Sequence, residues 1–469
     1  MVSVPSAAGK GIQAVATDMN LASVGYERQE YFLAGDAVGY KSVGHLGPDG
    51  KWQVEDTGKA PYKTRIVVIR PRNAADFSGT VFVEWFNVTG GVDAGPTWIA
   101  GHNQIIRSGA VWVGVTAQAV GVDGAAHTVQ SSKVAIPQGG LVKSDPVRYG
   151  SLHHPGDLYS YDIFTQAGVA VRNEGDGVKP LAGLSVKRVI AVGESQSSFR
   201  IATYIDAVHP LVHEYDGYLV YSRGAGASPL GDQTLGKPDP SIPPVVHIRT
   251  DIDVPVFEFE TEYDVDVLQY ADARQPDSKN FVLWEMAGGS HQDAYSAGGY
   301  ALTDLGDGKA EASLLNPAKA SGGLLNCTAP INAGGMYAVL EAAMAHLDAW
   351  VRDGTRPPEF ERIKTEGHGK GIEIVRSELG IAEGGVRAPI VDVPLAANIG
   401  DNGVGPDFCR VFGHTKPFDA ATLKKLYPGG KADYVAAFDA SADHAVKAGV
   451  WLEPEAKNYK AAAQQVSFG

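Results

Sequence analysis

The sequence predicts an α/β fold, a mostly parallel central sheet flanked by helices. Three observations carry that expectation. β-branched apolar runs of strand length recur along the chain, and segments with helical spacing of apolar residues fall between them. Such alternation of strands and helices is what a sheet covered on both faces requires. One of the runs, VKRVIAV, passes through a tight Gly-Glu-Ser turn directly into a helical segment.

Composition narrows the function classes. The 469 residues are 44% hydrophobic and 20% charged, ordinary for a globular chain with ample core. Forty Lys and Arg stand against 54 Asp and Glu, a formal charge of −14. That balance lacks the basic footprint of a nucleic-acid or anionic-membrane binder. The start, MVSVPSAAGKGIQAVATDMN, has no basic head followed by an apolar signal run. No stretch approaches the roughly eighteen apolar residues of a spanning helix. The 57 glycines follow no collagen-like period and mark turns and loops.

In chain order, residues 64–71 (TRIVVIRP) and 80–87 (TVFVEWFN) are strands around an RNAADFSG turn, and the pair reads as a hairpin. A helix is expected near 98–107, a strand at 110–118, a helix at 159–172 and a strand at 186–192. The region 201–208 is helical, and 217–221, 254–260 and 281–284 are strands. Met336, Val339, Leu340, Ala343, Leu347 and Trp350 form one face of a long helix that Gly354, Pro357 and Pro358 end. Further helices are expected near 421–426 and 435–448. Length alone suggests about three domains. The motifs instead favour one: a segment 1–63 packed on a core 64–354, insertions near 224–253 and 292–329, and an extension 355–469.

The chemistry concentrates in Gly193-Glu194-Ser195-Gln196-Ser197, set between a strand and a helix. A serine on such a sharp turn projects its oxygen above the sheet, and the helix start beneath it offers N–H groups to a developing oxyanion. Ser197 replaces the final glycine of the usual G-x-S-x-G, and a mere helix-capping serine is the plain alternative. Asp264 follows the strand 254–260, and His291 lies in the glycine-rich loop after FVLW. The chain order Ser195, Asp264, His291 is that of α/β-hydrolase triads. Glu262 and Glu260 are the alternative acids. The second oxyanion donor, beside the N–H of Gln196, is expected from Val88, Thr89 or Gly90 in the NVTGG loop.

The blocks VFVEWFNVTGG, RVIAVGESQSSFRIATYIDAVHPL, VPVFEFETEYDV, WEMAGGSHQDAY and LKKLYPGGKADYV resemble the family of alpha/beta hydrolase domain-containing proteins. The similarity extends over nearly the whole chain. It implies an α/β-hydrolase fold with Ser195 as nucleophile, His291 as base and a carboxylate after a late strand. A serine hydrolase cleaving a small carboxylic ester, with no cofactor, is the resulting expectation. Acyl transfer, amide or lactone cleavage, and a non-catalytic binding protein on the same scaffold are the alternatives.

Other signals point less clearly to chemistry. His209 and His213 are four apart with Glu214 beside them, yet Pro210 intervenes and no third ligand follows at a recognised spacing, so no metal is expected. The paired His153 and His154 suit no single ion. GAGASPLG at 224–231 lacks the strand-to-helix setting of a dinucleotide loop. Arg223 is a candidate for a substrate carboxylate, and Trp85, Tyr221 and Tyr295 are candidates for a substrate pocket; structural roles compete for each. Asn87-Val88-Thr89 and Asn326-Cys327-Thr328 spell glycosylation sequons. Cys327 and Cys409 read first as free buried thiols, and otherwise as one disulfide.

Overall fold

Along a continuously apolar strand, successive side chains face opposite sides, so each strand needs cover on both. The computed structural model describes residues 1–13, 19–125, 139–232, 239–297, 299–316, 327, 329–401, 403 and 407–467. Its main sheet comprises β1 (Val2–Ser3), β2 (Tyr26–Ser42), β3 (Val54–Pro71), β4 (Thr80–Trp85), β5 (Val111–Val115), β6 (Arg188–Glu194), β7 (Gly217–Tyr221), β8 (Val256–Thr261) and β9 (Phe281–Met286). The spatial order is β1-β2-β3-β5-β4-β6-β7-β8-β9. β5, β4 and β6 to β9 are mutually parallel, and β1 to β3 are antiparallel.

Two apolar layers follow from the alternation. Phe82, Trp112, Ile190, Val192, Leu219, Phe257 and Trp284 face the helices Pro96–Arg107 and Met336–Asp353, and the C-terminal helices Lys431–Ala448 and Glu453–Ala463 join this layer. Val81, Val83, Val113, Val189, Ala191, Val220 and Leu283 face the helices Ser160–Arg172 and Gln196–Thr203. The helix Met336–Asp353 stops where Gly354 takes a left-handed φ of 82°. No helix among the described residues is long and apolar enough to cross a membrane.

The expected hairpin does not form. β5 lies between β3 and β4, pairing antiparallel with β3 and parallel with β4. Turn-forming residues mark that the chain turns back, not that the strands it joins are neighbours. Here a helical crossover, Pro96–Arg107, returns the chain so that β5 takes the place beside β4. β2 and the first half of β3 escape sequence reading for two reasons: Glu30 of β2 is a buried charge paired with Arg65, and residues 55–59 of β3 are polar and exposed, with no apolar alternation to mark a strand.

The cysteines also differ from the first reading. Cys327 and Cys409, 82 residues apart in sequence, form a disulfide. Sequence distance carries no information about which loops meet. Parts of the two expected insertions, residues 233–238, 298, 317–326 and 328, lie outside the described residues, and with them Asn326 and Thr328 of the second sequon.

The strand order reverses at β4. The chain passes from β4 to β5 on one side and then to β6 on the other. The C-terminal ends of β4 and β6 therefore open a crevice, the usual binding place in such sheets.

Candidate active site

Ser195 sits in that crevice, between β6 and the helix Gln196–Thr203, with φ 52° and ψ −122°. A non-glycine residue holds such a conformation only when its surroundings enforce it. Here they do. The Ser195 N–H donates to the Tyr221 carbonyl at 3.1 Å. Ser197, fully buried, accepts the Glu194 N–H at 3.0 Å and donates to the Glu194 carbonyl at 2.8 Å. Its hydroxyl thus closes the turn at the position where glycine is usual. Gly193 has no such freedom, because a Cβ there would lie 2.6 Å from Ile201 Cγ1 and 2.7 Å from the Ser197 carbonyl. Although Ser195 occupies the N-cap position, its side chain makes no capping bond.

The Ser195 hydroxyl meets His291 Nε2 instead, at 2.7 Å, and His291 Nδ1 meets Asp264 Oδ1 at 2.6 Å. Asp264 is held by its own helix start. Its Oδ2 accepts the Thr261 N–H at 2.8 Å and the Thr261 hydroxyl at 2.6 Å, which leaves Oδ1 for the imidazole. A carboxylate against Nδ1 fixes the proton there, so Nε2 is the lone-pair atom facing Ser195. The His291 loop is clamped from both sides: Ser290 donates to the Gly400 and Val411 carbonyls at 2.9 and 2.8 Å, and the Gln292 N–H to Val411 at 2.9 Å. Burial by itself would depress the imidazole pKa, but Asp264 and Glu194 outweigh it, and the group is raised above its ordinary value.

The loop after β4 lies beside Ser195. Asn87 Nδ2 donates to the Glu194 carbonyl and side chain at 3.2 and 2.9 Å, and the Val88 N–H approaches Gln196 Oε1 at 3.3 Å. The Thr89 N–H is taken by Asn87 Oδ1 at 2.8 Å. Gln196 is the first helical residue, whose N–H has no intrahelical acceptor. Asn87 is buried with its amide engaged, an arrangement no glycan could share.

A family model described as alpha/beta hydrolase domain matches residues 2–461. The chain belongs to that family. Solved structures similar to this hydrolase include an esterase from Pseudomonas putida (15% identity, 54% of this chain and 68% of that one, TM-score 0.26). A carboxylesterase from Lactobacillus plantarum (12% identity, 50% and 78%, TM-score 0.26) and an esterase from Pyrobaculum calidifontis (14%, 58% and 80%, 0.28) are others. No curated protein matches. At TM-scores this low, family membership rests on the family model alone.

Of the three acids weighed from sequence, Asp264 is the one hydrogen-bonded to His291. Glu262 accepts from Gly288, Gly400 and Arg376 and so holds loops of the hydrolase together. Glu260 is fully buried, and burial, then Asp264 and Glu258, push its carboxyl well above the ordinary range.

The expected substrate contacts are engaged elsewhere. Arg223 is fully buried, 2.7 Å from Glu258 and donating to the Gly226 and Val246 carbonyls. This fits the structural ion pair, not a substrate carboxylate. Trp85 donates to Gln118 at 3.1 Å and packs on Tyr161 and Phe164. Tyr221 donates to Thr97 at 3.3 Å, and Tyr295 donates to Asp304 at 2.8 Å and stacks on Tyr337. All three rings are fully buried.

Sequence reading missed the carboxylates around the site. Glu194, inside the motif itself, places Oε1 3.6 Å from His291 Nε2 and accepts from Gln292 at 2.9 Å. Its position next to the serine was the available signal. Glu84 accepts the Thr97 and Trp98 N–H groups at 2.7 and 3.2 Å and the Trp112 indole at 2.7 Å, anchoring the helix that follows the NVTGG loop. Burial pushes its carboxyl up to about 8. A lone acid inside VFVEW gave no sign of that partnership.

Proposed function

We propose that this α/β-hydrolase cleaves carboxylic esters through a Ser195 acyl-enzyme. The observation that supports this reading is the continuous hydrogen-bonded line from Asp264 through His291 to Ser195, beginning at a strained turn in the crevice. Ser195 Oγ attacks the ester carbonyl carbon while its proton passes to His291 Nε2. The carbonyl oxygen becomes an oxyanion that accepts from the N–H groups of Gln196 and Val88, displacing the long contact between Val88 and the Gln196 side chain. Collapse breaks the bond to the leaving oxygen, which takes the proton from Nε2 and departs as the alcohol.

Water then enters. His291 removes its proton, the hydroxide oxygen adds to the acyl carbon, and a second collapse releases the acid and restores the Ser195 hydroxyl. Asp264 keeps Nδ1 protonated and stabilises the imidazolium in both halves. Glu194 adds a second carboxyl on the Nε2 side.

The decisive experiment pairs turnover with labelling. Ser195→Ala should lose turnover of p-nitrophenyl acetate and incorporation of a fluorophosphonate, with circular dichroism unchanged. Wild-type turnover in that variant would refute the mechanism. A folded wild-type protein that neither hydrolyses esters nor takes the phosphonate would favour a binding role.

A further inference from the structure

Two imidazoles and a carboxylate converge at the opposite end of the sheet from Ser195. The helix Gln196–Thr203 continues through a π-helical turn, Tyr204–Val208, into the short helix His209–Val212. At about 1.5 Å per residue, that run carries the chain roughly 20 Å from the nucleophile. Asp253 precedes β8, at the strand end away from Asp264.

Pro210 does not separate the two histidines. It lies directly after the π-helical turn, and the chain stays helical through it. The His213 N–H donates to the His209 carbonyl at 2.9 Å and closes the turn. His213 then takes a left-handed conformation, φ 48° and ψ 39°, with its ring 5.0 Å from that of His209. Asp253 supplies the third group that sequence spacing lacked. Its Oδ1 lies 3.2 Å from His209 Nε2 and its Oδ2 3.7 Å from His213 Nδ1.

All three ligand atoms fall within 4.8 Å of one another. A tetrahedral zinc ion with bonds of about 2.0–2.1 Å holds its ligand atoms about 3.4 Å apart. His209 Nε2 and His213 Nδ1 each lie near that distance from one oxygen of Asp253, 3.2 Å from Oδ1 and 3.7 Å from Oδ2 respectively.

The surroundings suit a metal as well. His209 is buried, and its Nδ1 lies 2.8 Å from the Tyr218 hydroxyl, which fixes the ring and leaves Nε2 facing Asp253. Such an outer hydrogen bond is the usual partner of a ligating imidazole. Arg249, the nearby cation, is committed to Asp251 and to the Asp206 carbonyl. His213 and Asp253 have side chains 58% and 68% exposed, which opens the cluster to solvent.

We propose that His209 Nε2, His213 Nδ1 and Asp253 bind a divalent first-row transition ion, zinc foremost, with water completing the shell. Two imidazoles and one carboxylate favour zinc over magnesium or calcium, which prefer all-oxygen shells. The ion would tie the end of the nucleophile helix to the chain entering β8. Its distance from Ser195 makes it a brace of the fold.

The test is titration of the chelator-stripped, full-length chain with zinc chloride by calorimetry, beside His213→Asn and Asp253→Asn. Asparagine accepts the left-handed backbone of His213, and both side chains are largely exposed, so neither variant disturbs the core. Circular dichroism and thermal unfolding in chelator confirm that the folds match. Wild type should bind one equivalent at least tenfold more tightly than either variant, and zinc should raise its unfolding temperature alone. Absence of zinc binding in wild type overturns the proposal, and so does one equivalent bound equally by the variants, as scattered surface histidines would give.

Discussion

Asp264→Asn separates the charge of the proposed triad acid from its shape. In the native site, Oδ2 receives two donors from Thr261, at 2.8 and 2.6 Å, while Oδ1 faces His291 Nδ1 at 2.6 Å. An asparagine must turn its carbonyl toward Thr261, because its NH2 there would oppose the backbone N–H. The NH2 then faces His291 Nδ1. A donor at that place forces the imidazole proton onto Nε2, the atom that must accept the proton of Ser195. The base is disabled while the packing is kept.

The equivalent loss in a serine triad is about 10⁴-fold in kcat, or about 5.5 kcal/mol of barrier. Hydrolysis of p-nitrophenyl acetate at saturating substrate measures it. Thermal unfolding should stay close to wild type, since volume and the Thr261 contacts persist. A variant within tenfold of wild-type kcat would refute this assignment of the acid and the tautomer argument with it.

Three further predictions follow from the same neighbourhood. Glu194 helps raise the His291 pKa, and the proposed mechanism requires the neutral imidazole, so activity should fall as pH drops through that value. Glu194→Gln removes the charge, lowers the imidazole pKa and moves the acid limb of the kcat/KM profile to lower pH; a limb that stays put or rises would contradict it. Ser197→Ala leaves the Glu194 N–H unpaired in a buried turn, while the Glu194 carbonyl keeps Asn87 at 3.2 Å. Urea denaturation should register a loss of about 1–3 kcal/mol. The Cys327–Cys409 disulfide closes 82 residues, for which loop entropy gives an upper bound of about 4.5 kcal/mol. Hydrogen bonds from Gln292 to Val411 and from Asn332 to Phe412 hold the same regions, so Cys409→Ser should cost part of that figure. A denaturation midpoint equal to wild type would show the bond to be idle.

What could be read from sequence was local. Ser195, Asp264 and His291 each follow an apolar strand by a few residues, and a strand end fixes where its next residues lie in the fold. The sheet carries them to one edge because β6, β8 and β9 are parallel. Glu194 was announced only by its place beside Ser195; which way its side chain turns at the strand end is not written in the local pattern, and the fold sets its Oε1 3.6 Å from His291 Nε2. Arg223 and the aromatic candidates misled for a related reason. A residue at a strand end has two possible faces, and apolar rings or a buried counter-ion such as Glu258 decide which. β2 was hidden by the same physics: paired charges inside a sheet look like surface charges in a one-dimensional pattern.

Ser197 sharpens what this strand–turn–helix motif requires. The final glycine of G-x-S-x-G is commonly taken as part of the demand, yet here that position carries a buried hydroxyl bonded to both backbone groups of Glu194. A side chain fits there because it can pay back the groups it covers. Gly193 is different in kind: a Cβ would strike Ile201 and the Ser197 backbone, where no rotation relieves the clash. The first glycine is imposed by the closeness of strand and helix, and the last only by the need to close the turn. A sequence that keeps the first and replaces the last with a small hydroxyl residue therefore still encodes the turn, provided a strand precedes it and a helix follows.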